Sequence, residues 1–445
     1  MIEVVQKTIK AVLGPVLFLL ALFVVYKIFS SITGGLNLAL PISFLLALSP
    51  IWLPAVLFYL AYDKWVYYVH LKFVLSNGRT TLRIHLPQNV FKSPEAMESV
   101  LAQIYNLSTP DNLMHMYLDG RHPLTYSCEI VSIGGEVRFY MNVPTKKIKN
   151  TLEAQLYAQY PGVEVVEEPH DYTDEVVWDP NRFEVFSFHI GKKGDQALPI
   201  KTYIDFNLDK MPKEEEKYDP MSALIEAMST IKPHERIWIQ ILITPHTKKD
   251  YKNGHLFNAK PTWEKGVQES INAIMKRDGR VELDPEEKKQ MLTVGERERI
   301  AAMERNVGKY AYDTGIRFIY IAEKGKFNPD IFTPILRSLT QFDMLNRGAL
   351  GVRWRTDFNY PMVSDPSGVR RERYKRNELM DYKLREYKAR DRVDHADDTK
   401  VMSVEELATI FHLPSGTIIT PSLPRITSTR KEAPSNLPTG INVGI

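Results

Sequence analysis

Two apolar runs near the start of the chain, residues 11–32 and 42–62, limit what everything after them can do. The first (AVLGPVLFLLALFVVYKIFSSI) carries one charge, Lys27, and the second (ISFLLALSPIWLPAVLFYLAY) carries none. Each has about the 20 residues a helix needs to cross roughly 30 Å of hydrocarbon. The stretch between them, TGGLNLALP, is a Gly/Asn/Pro turn too short to be a domain. Neither run has the polar face of a core helix, and no small-residue cleavage pattern of a signal peptide separates them. The expectation is a two-helix transmembrane hairpin over residues 1–72, its prolines tolerated as membrane helices tolerate kinks. Lys7 and Lys10 precede it and Lys64 and Lys72 follow it, so the positive-inside rule puts both termini in the cytoplasm, beneath a cell membrane. Lys27 lies toward the far end and can snorkel.

What remains is long enough for two or three domains. A single cysteine, Cys128, excludes an intramolecular disulfide and any multi-cysteine metal site. The net charge is +3, and Lys7, Lys10, Lys27, Lys64 and Lys72 against Glu3 and Asp63 already carry that surplus. The soluble part is therefore balanced, without the overall basic excess of many nucleic-acid binders.

Residues 73–170 read as one α+β domain. TTLRIHL (80–86) alternates, with Leu82, Ile84 and Leu86 on one face. Ser93-Pro94-Glu95 opens a helix with apolar positions Met97, Val100, Leu101 and Ile104. Residues 126–133 and 137–143 pair through Gly134-Gly135. There Val137, Phe139, Met141 and Val143 alternate with Arg138, Tyr140 and Asn142, as in a sheet covered on one face. A helix over 146–159 presents Ile148, Leu152, Leu156 and Tyr157, and 163–166 is a last strand. The order β-α-β-β-α-β predicts a ferredoxin-like fold with helices on one face of an antiparallel sheet.

Residues 171–358 suggest a second domain of the same type. Strand-like runs lie at 184–190, 200–206, 236–244 and 316–322, and Ile237, Ile239, Ile241 and Ile243 share one face. Helices are expected at 220–231 behind Asp219, at 296–312 behind a Thr293/Glu296 capping box, and at 329–342 behind Asn328. A helical insertion occupies 245–295. Residues 359–445 differ: a charged helix over 370–392, a Ser403/Glu406 capping box opening a helix that ends near His412, and an extended Pro-rich tail.

Motifs that carry chemistry are scarce. There is no GxxxxGK[ST] phosphate loop, no Gly-x-Ser-x-Gly and no HExxH. Gly191-Lys192-Lys193-Gly194 reads as a loop after a strand, and His115 and His122 form only a faint metal pattern. Cys128 beside Glu129 lacks the positive neighbours of a catalytic thiolate. No enzyme, cofactor or metal site is expected. The one candidate site is a polyanion contact on the charged helix: Arg370, Arg371, Arg373, Lys375, Arg376, Lys383, Arg385, Lys388, Arg390 and Arg392. Five acids dilute these ten bases, and Asp381/Arg385 and Glu386/Arg390 have the spacing of i,i+4 pairs. Met380, Leu384 and Tyr387 then form the stripe expected to dock on a domain or partner.

Three stretches carry a family likeness: LPQNVFKSPEAMESVLAQIYN (86–106), VRFYMNVPTKKIKNTLEAQLYAQYPGVEVVE (137–167), and SVEELATIFHLPS with TPSLPRI and EAPSNLP (403–438). They resemble the membrane-proximal region of bacterial conjugation and type IV secretion ATPases of the coupling-protein class, where a domain of unknown function links a membrane anchor to a RecA-like motor. The likeness implies a non-catalytic, membrane-anchored platform with a P-loop ATPase as partner, itself arranged as a homo-oligomer. The chain ends at TGINVGI, about where that motor would begin, so the expectation is a motor-less subunit or the front half of a split one. The alternative is a membrane-anchored DNA-binding adaptor acting through residues 370–392.

Overall fold

A computed structural model describes residues 47–87, 92–105, 112–209, 219–246, 263–275, 292–344, 346–357, 365, 368–387, 400–414 and 423–426. The first apolar run, the turn after it and most of the Pro-rich tail lie outside these residues. The chain divides into two units, Met1–Tyr68 and Val69–Ile445.

Helix α1 (Ser49–Asn77) begins inside the second apolar run and continues well past it. Its early turns expose large apolar side chains without a polar face: Val56, Leu57, Phe58 and Tyr59 are all at least 47% exposed. Among the described residues no helix is long and apolar enough to cross a membrane. The sequence reading closes the second span at residue 62 and the hairpin at 72. The helix runs on to Asn77, where Gly78 adopts φ 67° and stops it, a left-handed conformation that costs glycine little.

The second unit is α+β, built on a single ten-stranded, largely antiparallel sheet. Its first part contains β1 (Arg79–Pro87), α2 (Glu95–Gln103), the short α3 (Leu113–Tyr117), β2 (Tyr126–Ile133), β3 (Glu136–Pro144), α4 (Lys149–Gln159) and β4 (Glu164–Glu167). Its second contains β5 (Phe183–Lys193), α5 (Met221–Ser229), β6 (Glu235–Pro245), α6 (Trp263–Ile274), α7 (Val294–Val307), β7 (Ala311–Glu323), α8 (Phe332–Leu339) and β8 (Ala349–Arg355). Then come α9 (Val369–Lys383), β9 (Lys400–Ser403), α10 (Val404–Ile410) and β10 (Arg425–Ile426).

Across the sheet the first part runs β4-β1-β3-β2 and the second continues β6-β7-β5-β8. Each part, read in its own chain order, places its strands fourth, first, third, second. The two meet where β2 pairs antiparallel with β6, Ile130 opposite Ile239. Two expected domains therefore share one sheet and one continuous apolar core rather than packing as separate bodies. The C-terminal segment stitches them: β9 pairs with β7, β10 pairs with β1, and every residue of α10 is buried.

Several local signals are realised as read. Gly134 and Gly135 take φ 58° and 94° in the hairpin turn, and both capping boxes form. Others are corrected. Residues 200–206 form no strand: 200–202 are irregular and 203–206 are turns, where Thr202 donates its N–H and hydroxyl to Asp205 and curls the chain. The helix expected over 296–312 ends at Val307, and Tyr312 lies in β7. Tyr157, expected on the buried stripe of α4, is 49% exposed. Lys192 is not in a loop but in β5, buried and 2.9 Å from Glu406. The strands β8 and β9 have no counterpart in the sequence reading.

The largest departure concerns the faces. Leu82, Ile84, Phe139, Ile130, Ile239 and Phe318 point into the core beneath α2, α4, α5, α8 and α10. The opposite face was expected to meet solvent, yet Tyr140 and Asn142 are buried there. A second cluster closes over it, with Val131, Tyr140, Trp238 and Ile319 from the strands and Leu379 and Tyr382 from α9.

Candidate functional site

The helix distinguished by its bases is α9, and beneath it lies a line of strand residues. Arg83, Tyr140, Glu129, Gln240, Arg317, His189 and Trp354 stand directly opposite one another across β1, β3, β2, β6, β7, β5 and β8. Opposed residues on one face of a sheet come within about 5 Å at Cβ, so this row is a continuous strip. Glu129, Gln240, Arg317 and His189 are each 0% exposed. Burying such groups is costly unless they are paired and hydrogen-bonded.

The pairing comes from α9 and the turn after it. Glu378 on α9 places Oε2 3.0 Å from Arg317 Nε and 2.9 Å from His189 Nε2. Arg317 also donates to Gln240 Oε1 at 3.3 Å and to the Glu386 carbonyl at 2.7 Å. Gln240 passes the chain on, donating to Glu129 Oε1 at 3.1 Å and to the Tyr382 carbonyl at 3.0 Å. Glu129 accepts from Ser127 Oγ, Tyr172 Oη and Arg385 Nε at 2.6, 2.7 and 3.1 Å. Arg385 also reaches Asp171 at 2.6 Å.

That last contact explains the end of the helix. The expectation of helix to residue 392 fails at Lys383, and Arg385 takes φ 53°, a conformation uncommon for a residue with a side chain. The turn aims its guanidinium inward, where two carboxylates wait. Asp381 and Arg385 are thus not a solvated surface pair; Asp381 is 3% exposed and Arg385 7%.

The electrostatics follow from burial and pairing together. Burial pushes the Tyr172 and Tyr382 hydroxyls far above their ordinary range, with the Glu129 carboxylate adding to it. For Asp171 burial acts upward, but the hydrogen bond and charge of Arg385 outweigh it and hold the carboxyl below its usual value. Burial acts on Arg385 to release its proton, but Glu129, Tyr172 and Asp171 together outweigh it, so its cation is held firmly. The members of the row pair chiefly with one another and with α9 and the turn after it. Its chemistry is to fix α9 to the sheet.

The ten candidate bases separate by position. Arg373 and Arg376 are exposed; Arg370, Arg371, Lys375 and Lys383 are half-buried along the helix flanks; Arg385 is spent inside. Lys388, Arg390 and Arg392 lie outside the described residues. Met380 and Leu384, expected on the docking stripe, face solvent at 44% and 55% exposure, while Glu378, Leu379, Asp381 and Tyr382 dock instead. The row itself escaped sequence reasoning. Its signal was a polar residue set in the middle of an apolar strand: SCEIVSI, IWIQILI, IRFIYI. Such a residue in a strand covered on both sides demands a partner from another element.

Elsewhere, a polar cleft of about 520 Å³ is lined by Glu95, Glu98, Ser99, Tyr203, Asp209 and Lys309. Glu98 there accepts from Tyr203 and Lys309, each at 2.7 Å, and Lys309 also reaches Glu405 at 2.9 Å. The His122 ring lies tilted against that of His70 with centroids 4.5 Å apart, and His115 lies near Asp119. Among the described residues no group of three His, Cys, Asp or Glu could hold a metal ion. Cys128 is buried, and burial pushes its thiol up.

The fold and this site define a class first: an α+β chain whose antiparallel sheet is covered on both faces, with a charged helix latched over a buried polar row. The chain belongs to the family described as Domain of unknown function (DUF8128), whose model matches residues 72–329. The match takes in β1 through β7 and stops short of α9. No curated protein and no solved structure matches the chain.

Proposed function

We propose that this chain is a membrane-anchored, non-catalytic platform of a conjugative or type IV secretion-like machine, holding a P-loop ATPase beneath the membrane. The observation that carries the anchoring is the first half of α1, where Leu53, Val56, Leu57, Phe58 and Tyr59 are exposed with no polar face to turn toward water. A helix of that kind is stable against lipid or a partner, not against solvent. The apolar run of residues 42–62 starts before the described part of the helix, and a span of that length suits a bilayer.

The platform reading draws on the rest. Strand order fourth-first-third-second in each half supports ferredoxin-like units at residues 73–170 and 171–358, fused edge to edge. A buried, self-paired charge row is a device for rigidity, and a rigid scaffold suits arranging other subunits. The likeness of 86–106, 137–167 and 403–438 to coupling-class ATPases is what suggests the machine. The test is gentle detergent extraction of the tagged chain, capture, and mass spectrometry. A co-purifying P-loop ATPase, released when residues 414–445 are deleted, supports the platform; a chain that comes alone speaks against it.

The DNA-adaptor reading is favoured by the exposed Arg373 and Arg376. It requires duplex affinity that falls steeply with salt and disappears when these become glutamine.

A further inference from the structure

The composition of α9 hides an arrangement that only its orientation reveals. Two of its acids, Glu378 and Asp381, are turned into the protein at 0% and 3% exposure. A third, Glu372, is paired with Lys375 at 2.9 Å. The outward side is left to Val369, Arg373, Arg376, Met380 and Leu384. Their spacings of four, three, four and four residues fall on one line along a helix. Val369 is 60% exposed, Met380 44% and Leu384 55%, and both arginines are exposed. Among the described residues neither arginine makes an ion pair. Two of the helix's three acids face in and the third is paired, while two arginines and three apolar residues face out.

We propose that this stripe rests on a bilayer surface containing anionic phospholipid. The arginines would meet headgroup phosphates, while Val369, Met380 and Leu384 enter the boundary between headgroups and acyl chains. A nucleic-acid backbone would use the arginines but gives three exposed apolar side chains nothing to contact. A membrane interface uses both kinds of residue in one line. The proposal rests on the reading of the chain as bilayer-anchored, since a short stripe binds weakly alone and a tether supplies the local concentration.

The buried Cys128 makes a clean experiment available, because a thiol introduced at the surface is the one that reacts. The full chain carrying Met380→Cys, labelled with a polarity-sensitive fluorophore, is reconstituted into nanodiscs of phosphatidylcholine alone or mixed with phosphatidylglycerol. The expected result is a blue shift in the mixed discs only. Arg373→Gln with Arg376→Gln should reduce the docked-to-free ratio about 25-fold, roughly fivefold per arginine. A fluorophore at Tyr157→Cys, on α4 against the other face of the sheet, should not respond.

No shift in mixed discs, or a shift that survives the loss of both arginines, overturns the proposal. A shift produced by added duplex DNA and not by lipid overturns it in favour of the adaptor. Should the chain stay out of the discs, the anchored reading fails by itself. The same labelled chain is then mixed with phosphatidylglycerol vesicles, where a shift keeps the stripe as a lipid contact and its absence ends the proposal. Both arginines are exposed, so an unchanged unfolding midpoint of the double variant separates lost docking from lost folding.

Discussion

One face of the sheet carries the row Ile84, Phe139, Ile130, Ile239, Phe318 and Phe188. One residue along the same strands, the opposite face carries Arg83, Tyr140, Glu129, Gln240, Arg317 and His189. Both rows are largely buried, and they are held by different physics. The apolar row is closed by α2, α4, α5, α8 and α10, and its stability grows with area removed from water, in no particular direction. The polar row is closed chiefly by one helix and the turn after it, and each contact has a required partner and angle. The first face tolerates change in proportion to volume. The second specifies which helix lies on it, and in which register.

That difference sets the scale of the perturbations. Glu129→Ala strands Arg385 and Gln240 in a dry interior and should cost about 3–5 kcal/mol, read as a lower denaturant midpoint. Arg317→Met alone and Glu378→Leu alone should each be strongly destabilising, while the two together should lose much less than their sum. A coupling of about 1–3 kcal/mol in that cycle is the signature of a directed pair. On the other face Ile239→Val should cost only about 0.5–1.5 kcal/mol. An Ile239→Val cost matching that of Glu129→Ala would erase the comparison.

Acid provides a graded version. The folded-state pKa of Asp171 is depressed, so its contribution is fully present above the ordinary carboxylate range and is lost as pH falls through the lowered value. Wild type should therefore lose stability below about pH 4, and Asp171→Asn should show a flatter profile there. The smallest effect is on the outward side of α9, where Arg373→Gln with Arg376→Gln should alter stability by no more than about 0.5 kcal/mol.

The apolar face was legible because its signals are local. Alternation in TTLRIHL, the Gly134-Gly135 turn, four isoleucines at every second position of β6, and two capping boxes each act within a few residues. The polar face was not, because its partners are distant: Arg385 meets Glu129 across more than two hundred residues, and Glu378 meets His189 across nearly as many. No periodicity predicts which of a helix's acids turn inward. Reading α9 as a solvated helix assigned Asp381 to its surface, and placed Met380 and Leu384 on its docked side. β8 was missed for a related reason, since ALGVRWR has weak alternation and gains its place by pairing with β5.

The claim that joins these observations is that α9 is a fixed layer of the fold and not a mobile basic arm. Hydrogen–deuterium exchange on the full chain tests it directly. The account predicts that amides of residues 378–383 exchange nearly as slowly as those of β6 and β7, because releasing them exposes Arg317, Gln240 and Glu129 together. Exchange across α9 as fast as that of an isolated helix, with β6 and β7 still protected, would contradict it.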